Sequence, residues 1–147
     1  MKAFLSILNL SFLPKSADLA LLLLRGALGA GMIHLHGWNK WTDFSRLSGK
    51  FADPLHLGSS KVSLGLIVFA EVVCSALLIV GFCSRFAALV LSIGMGVAFF
   101  LYHKASLSAG ETAALYLLGY LVVLCAGPGK FSFDGSGSGG ADAGGKG

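Results

Sequence analysis

An all-α fold, a four-helix transmembrane bundle with a short N-terminal interfacial segment, follows from three features of this chain. Of its 147 residues, 55% are hydrophobic and only 12% are charged, where soluble domains carry roughly 25% charged residues. Mean hydropathy is +0.80, and a soluble fold this small has no interior large enough to hide so much apolar surface. The apolar residues fall into about four long runs divided by polar turns, the pattern of membrane-crossing helices. They show no period-2 alternation, which argues against a barrel.

The elements follow in order. Residues 1–13 are apolar but short, broken by Asn9, and followed by Pro14 and Lys15 rather than a small-x-small cleavage site. They are expected to lie on the membrane surface, so residues 1–16 form an interfacial segment. The first span is expected over Ala17–Trp41, with Ser16 as its N-cap. The second runs over Val62–Phe82 and the third over Phe86–Tyr102. The fourth runs over Thr112–Ala126 and stops at Gly127-Pro128-Gly129, a strong helix terminator. The third and fourth are short for a hydrocarbon core that needs about 20 residues. The 42–61 connection, with Asp43, Arg46, Lys50, Asp53, Pro54 and His56, reads as a partly ordered cap. The membrane domain spans residues 17–134, and residues 135–147 are a flexible Gly/Ser tail with nothing to bury.

With four spans, both termini and the 82–86 turn share one end of the bundle, end A. The 42–61 loop and the 103–111 turn share the other, end B. Lys2, Lys15, Arg85, Lys130 and Lys146 at end A balance Lys40, Arg46, Lys50, Lys61 and Lys104 at end B, so charge asymmetry does not choose an orientation. Net charge is +4, but the basic residues are scattered and form no nucleic-acid face; headgroup contact explains them. Three cysteines, Cys74, Cys83 and Cys125, form no CxxC and read as inert.

Charged groups inside a span demand a reason. Arg25 lies roughly 12 Å and Glu71 roughly 16 Å below end A at 1.5 Å per residue. Antiparallel neighbours of such similar depth are expected to form a buried Arg25–Glu71 ion pair. It serves either as a staple of helix register or as a proton-linked or ligand-binding group. On the first span Arg25, Gly29, His36 and Lys40 fall within roughly 60° of one another. His103 and Glu111 converge on the end-B end of this stripe. These residues are the expected lining of one cavity reaching toward Glu71, with Gly29 leaving room in it. Each has a bland alternative: Ser108-Ala-Gly-Glu111 fits a capping box, Lys40 can snorkel, and Trp38 and Trp41 suit the membrane interface. His34 sits about 200° from His36, so the pair is no two-ligand metal face, and no metal site is expected. There is no phosphate loop, dinucleotide fingerprint or nucleophile triad.

The string Arg25-Gly-Ala-Leu-Gly29, then His36-Gly37-Trp-Asn-Lys40, resembles the first helix of the DoxX family of membrane proteins. Ala70-Glu71, the stretch through Gly81-Phe-Cys-Ser-Arg85, His103, Gly110-Glu111 and Gly127-Pro128-Gly129-Lys130-Phe131-Ser132-Phe133-Asp134 extend the resemblance over residues 17–134. It implies a four-helix membrane bundle. Similar proteins include the small subunit of thiosulfate:quinone oxidoreductase and membrane components of oxidoreductase or thiol-stress complexes. The resemblance also favours a bacterial inner membrane with cytoplasmic termini. This chain departs from the pattern in His34-Leu-His36 and in its Gly/Ser tail.

The function expected is therefore a redox-linked membrane subunit of an oxidoreductase system, with a quinone as cofactor. Arg25, Gly29, His36, Lys40, Glu71, His103 and Glu111 would bind it, and His36, His103 and Glu111 are the candidates for proton chemistry. The alternative is a non-catalytic assembly or anchoring subunit. Expected partners are the lipid bilayer and a larger oxidoreductase complex or further copies of the chain, and not nucleic acid.

Overall fold

The computed structural model describes residues 16–53 and 55–137. The helices are α1 (Ala17–Thr42), the short α2 (Phe44–Leu47), α3 (Ser60–Val80), α4 (Ser84–Tyr102), α5 (Leu107–Ala126) and the short α6 (Phe133–Gly137). No strand occurs among the described residues. α1, α3, α4 and α5 are each long and apolar enough to cross a membrane. The interfacial segment expected over residues 1–13 lies outside the described residues, as does the tail from 138.

Local chemistry sets the helix ends. Ser16 caps α1 as expected, its hydroxyl accepting from the Leu19 amide at 3.2 Å. Gly127, at φ 84°, ends α5. The third and fourth spans are longer than expected, at 19 and 20 residues. Ser84-Arg85 and Leu107–Glu111 join the helices because polar residues at a span's edge still complete backbone hydrogen bonds. The expected capping box at Ser108–Glu111 does not form. α5 starts two residues earlier, behind Ser106, whose hydroxyl pairs with that of Ser108 at 3.0 Å.

α1 packs on α3, α3 on α4, α4 on α5, and α5 returns to α1, closing an up-down-up-down bundle. Its core holds Met32, Cys74, Leu78, Ala87, Ala88, Leu91, Met95, Tyr120 and Val123. Small residues bring the helices close. A Cβ on Gly29 would lie 2.8 Å from the Ser75 carbonyl oxygen, and one on Gly37 3.2 Å from that of Glu71. Large apolar side chains such as Leu23, Leu66, Ile93 and Leu118 cover the outside, a surface only lipid makes favourable. Trp38 and Trp41 also face outward.

The expected cap at end B is present. Asp53 accepts from the Leu57 and Gly58 amides at 2.9 Å and from the Ser63 hydroxyl at 2.7 Å. These bonds, the Leu57 amide first and then Ser63, hold its carboxyl below the ordinary aspartate value.

End A is closed by residues 127–137, a strap folded back across the bundle. The Lys130 amide donates to Asp18 at 2.9 Å. Asp134 caps α4, accepting from the Cys83 amide at 2.9 Å and the Ser84 amide at 2.8 Å, where the helix dipole favours a negative charge. Helical order continues to Gly137, past the expected start of the tail.

Candidate functional site

The interior charges do not pair as expected. Glu71 meets Lys40, not Arg25: the Lys40 Nζ donates to both carboxylate oxygens, at 2.8 and 2.7 Å. Arg25, fully buried, donates to the Leu78 carbonyl at 3.3 Å and to that of Phe131 at 2.6 Å. The expected pairing fails because α1 and α3 are staggered. Gly29 faces Ser75 and Ile79, and Gly37 faces Glu71 and Val72. Glu71 therefore sits level with Gly37, roughly 18 Å along α1 from Arg25 at 1.5 Å per residue. Arg25 instead reaches the last turn of α3, where Leu78 carries a carbonyl orphaned by the end of the helix.

Around Lys40 and Glu71 the bundle builds a polar interior from three helices. The Lys40 Nζ also donates to the His36 carbonyl at 3.3 Å. The His36 ring meets Tyr116 edge-on, centroids 5.7 Å apart, and Tyr116 lies 5.9 Å from Tyr120. Tyr120, one turn further along α5, is within electrostatic reach of Glu71 and lies beside Ser75, one turn beyond Glu71 on α3. The side chain of Glu71 is 4% exposed and that of Lys40 24%, so the lysine forms the outer edge and the carboxylate the inner. Gly31 makes room for this arrangement, since a Cβ there would lie 2.5 Å from the Tyr116 hydroxyl.

His36 and Glu71 both lie in wide π-type turns, Ile33–Gly37 and Phe69–Cys74, and such turns cluster at functional sites. A third, Val97–Tyr102, immediately precedes His103.

Of the residues singled out in the sequence, the structure brings His36, Lys40 and Glu71 together. Gly29 opens no cavity; its missing side chain is the space into which Ile79 and the Ser75 carbonyl pack. His103 lies against Tyr102, centroids 5.0 Å apart, and over Gly110. Glu111 is exposed. No hydrogen bond or ion pair among the described residues joins either of these two to Lys40 or Glu71. Sequence reasoning missed Ser75, Tyr116 and Tyr120. Ser75 follows Glu71 by four residues and Tyr120 follows Tyr116 by four, so each pair shares a helix face, but both stretches read as plain apolar span. Among the described residues no group of three or more His, Cys, Asp or Glu is placed to hold a metal ion.

A multi-pass membrane protein of four helices, with an ion pair enclosed between them, is the class these observations define. The chain belongs to the DoxX family, whose pattern matches residues 20–104. That stretch holds Arg25, His36, Lys40, Glu71 and His103 and stops short of Tyr116, Tyr120 and the strap. A Haemophilus influenzae protein described as uncharacterized is 32% identical over 117 residues, covering 71% of this chain and 81% of the relative. No solved structure matches.

Proposed function

We propose that this chain is a redox-linked subunit of an oxidoreductase system in a bacterial inner membrane, and that it takes a quinone at the Lys40–Glu71 pair. The observation that carries this reading is a carboxylate almost wholly buried between apolar helices, held by a lysine and bordered by His36, Tyr116 and Tyr120. An apolar slot with a few convergent polar groups suits a quinone. Its carbonyl oxygens need hydrogen-bond donors, which the tyrosine hydroxyls supply and which Lys40 supplies by releasing one of its three bonds to Glu71 and the His36 carbonyl. Its reduction needs protons, which Glu71 and His36 can hold and release. Electrons come from a partner or a diffusible donor.

His103 and Glu111 belong to the same end of the bundle and would act at the mouth of the site. Native mass spectrometry of the chain in mild detergent tests the proposal. Bound quinone is expected in the native protein and lost in Glu71→Gln, while His34→Ala, on an exposed position, keeps it. A native chain free of quinone overturns the proposal.

One observation favours the alternative, an assembly or anchoring subunit. Arg25, the most deeply buried cation among the described residues, is engaged with backbone carbonyls of α3 and the strap, which is structural work. A stable stoichiometric protein partner, with no bound small molecule, would establish that role.

A further inference from the structure

The polar groups of the interior continue past Glu71 toward the middle of the bundle and then stop. Ser75 and Tyr120 are both 0% exposed. Neither hydroxyl reaches an aligned hydrogen-bond partner, although the two lie beside one another. Even a bond between them would use one of their two O–H donors and leave the other idle. A buried hydroxyl without a partner is costly, more so in a membrane interior, and bound water is the usual remedy. Glu71 and Ser75 are one helical turn apart, about 5.4 Å along the axis, a gap that one water spans with two hydrogen bonds. Two to four polar partners, as a buried water requires, are present in Glu71, Ser75, Tyr120 and Tyr116.

The two ends of this file differ. Toward end B, Lys40 is partly exposed and links it to solvent. Toward end A, Gly29 brings α1 onto the Ser75 carbonyl and Ile79, leaving no width between the helices. Beyond that contact stands the Arg25 guanidinium, fully buried, and a fixed positive charge repels protons.

The geometry points to a blind, water-holding proton well that opens at end B through Lys40 and Glu71 and terminates at the Ser75–Tyr120 hydroxyls. Protons exchange with the buried carboxyl from one face of the membrane only. Each hydroxyl or water in the file accepts one proton as it passes another on, so the relay itself is unchanged. The inference builds on the proposed role of Glu71 but is measured without quinone. A dry interior leaves the quinone reading standing, and a chain that binds no quinone leaves the well standing.

Radiolytic hydroxyl-radical footprinting of the native protein in lipid tests the water. Radicals form from bound water, so once each rate is scaled by the intrinsic reactivity of its side-chain type, Tyr120 is expected to be modified about tenfold faster than Leu91, which is equally buried at 0% exposed. Ser75→Cys in a background lacking Cys74, Cys83 and Cys125 tests the sidedness with silver ion, a probe small enough for a file of water. The thiol is expected to react when silver is applied at the Lys40 face and not at the strap face. Scaled labelling of Tyr120 no faster than that of Leu91 overturns the proposal. So does silver reaction from the strap face, from both faces, or only after denaturation.

Discussion

Lys40 and Glu71 illustrate why an interior ion pair is asymmetric. Lys40 hangs from a flexible stem near the bundle end, whereas Glu71 is held inside a helix turn with its side chain 4% exposed. Remove the carboxylate and the lysine can swing out to water. Remove the lysine and the carboxylate stays buried, either charged without a partner or neutralised by protonation. Lys40→Met is therefore expected to destabilise the protein by about 3 kcal/mol and Glu71→Gln by about 1 kcal/mol. The double variant should cost clearly less than the sum of the two. Thermal or denaturant unfolding in one detergent measures all three, and strict additivity would mean that the two groups do not interact energetically.

The strap of residues 127–137 shows how one element satisfies several helix ends. Arg25 takes a carbonyl at the end of α3, the Asp134 carboxylate takes amides at the start of α4, and the Asp134 amide returns to the Gly81 carbonyl at 2.9 Å. The turn beneath it depends on Gly81, whose φ is 80° and where a Cβ would strike Arg25 and Ser132. Gly81→Ala is expected to lower stability by at least about 1–2 kcal/mol, from left-handed backbone strain before any clash is counted. Gly26→Ala, one helix away with nothing near its Cβ position, should stabilise by about 0.5–1 kcal/mol on helix propensity. Partial burial works against the charged form of Asp134. The Ser84 and Cys83 hydrogen bonds and the nearby Arg25 charge outweigh it, and the carboxyl is held below its ordinary 3.8. A lowered folded value means that the strap's contribution is fully present above pH 3.8 and is lost as pH falls through the folded value. Asp134→Asn should reduce stability at pH 7 and flatten the acid limb of a stability–pH curve. An unchanged acid limb would show that the cap carries no stability.

At the level of the whole molecule, the four spans close into a ring whose outer surface is made for lipid and whose interior is polar at one end. The bond from the Lys130 amide to Asp18 places the start of α1 and the segment after α5 at the same end of the bundle. Reporter fusions at the two termini are accordingly expected to land on the same side of the membrane, and opposite sides would contradict the four-span bundle. The inactive-anchor and quinone-binding readings also part company at this scale. An anchor needs only the outer surface and the strap, whereas a quinone site needs the interior between α1, α3 and α5.

The four spans, the Ser16 cap and the Gly127 stop were legible in the sequence because each rests on neighbouring residues. Hydropathy needs only a window, and caps and glycine terminators act within a turn. His36 and Lys40 were legible as one stripe for the same reason, since helical phase is local. The partner of Glu71, the task of Arg25 and the closed contact at Gly29 were not. They depend on how far one helix slides along its neighbour, and helical periodicity carries no information about translation along the axis. That stagger was decided by contacts between residues far apart in the chain, Gly29 on Ser75 and Arg25 on Phe131 among them. The tertiary structure alone therefore turned two similar depths into two separate sites, a structural staple at one end and a buried ion pair toward the other.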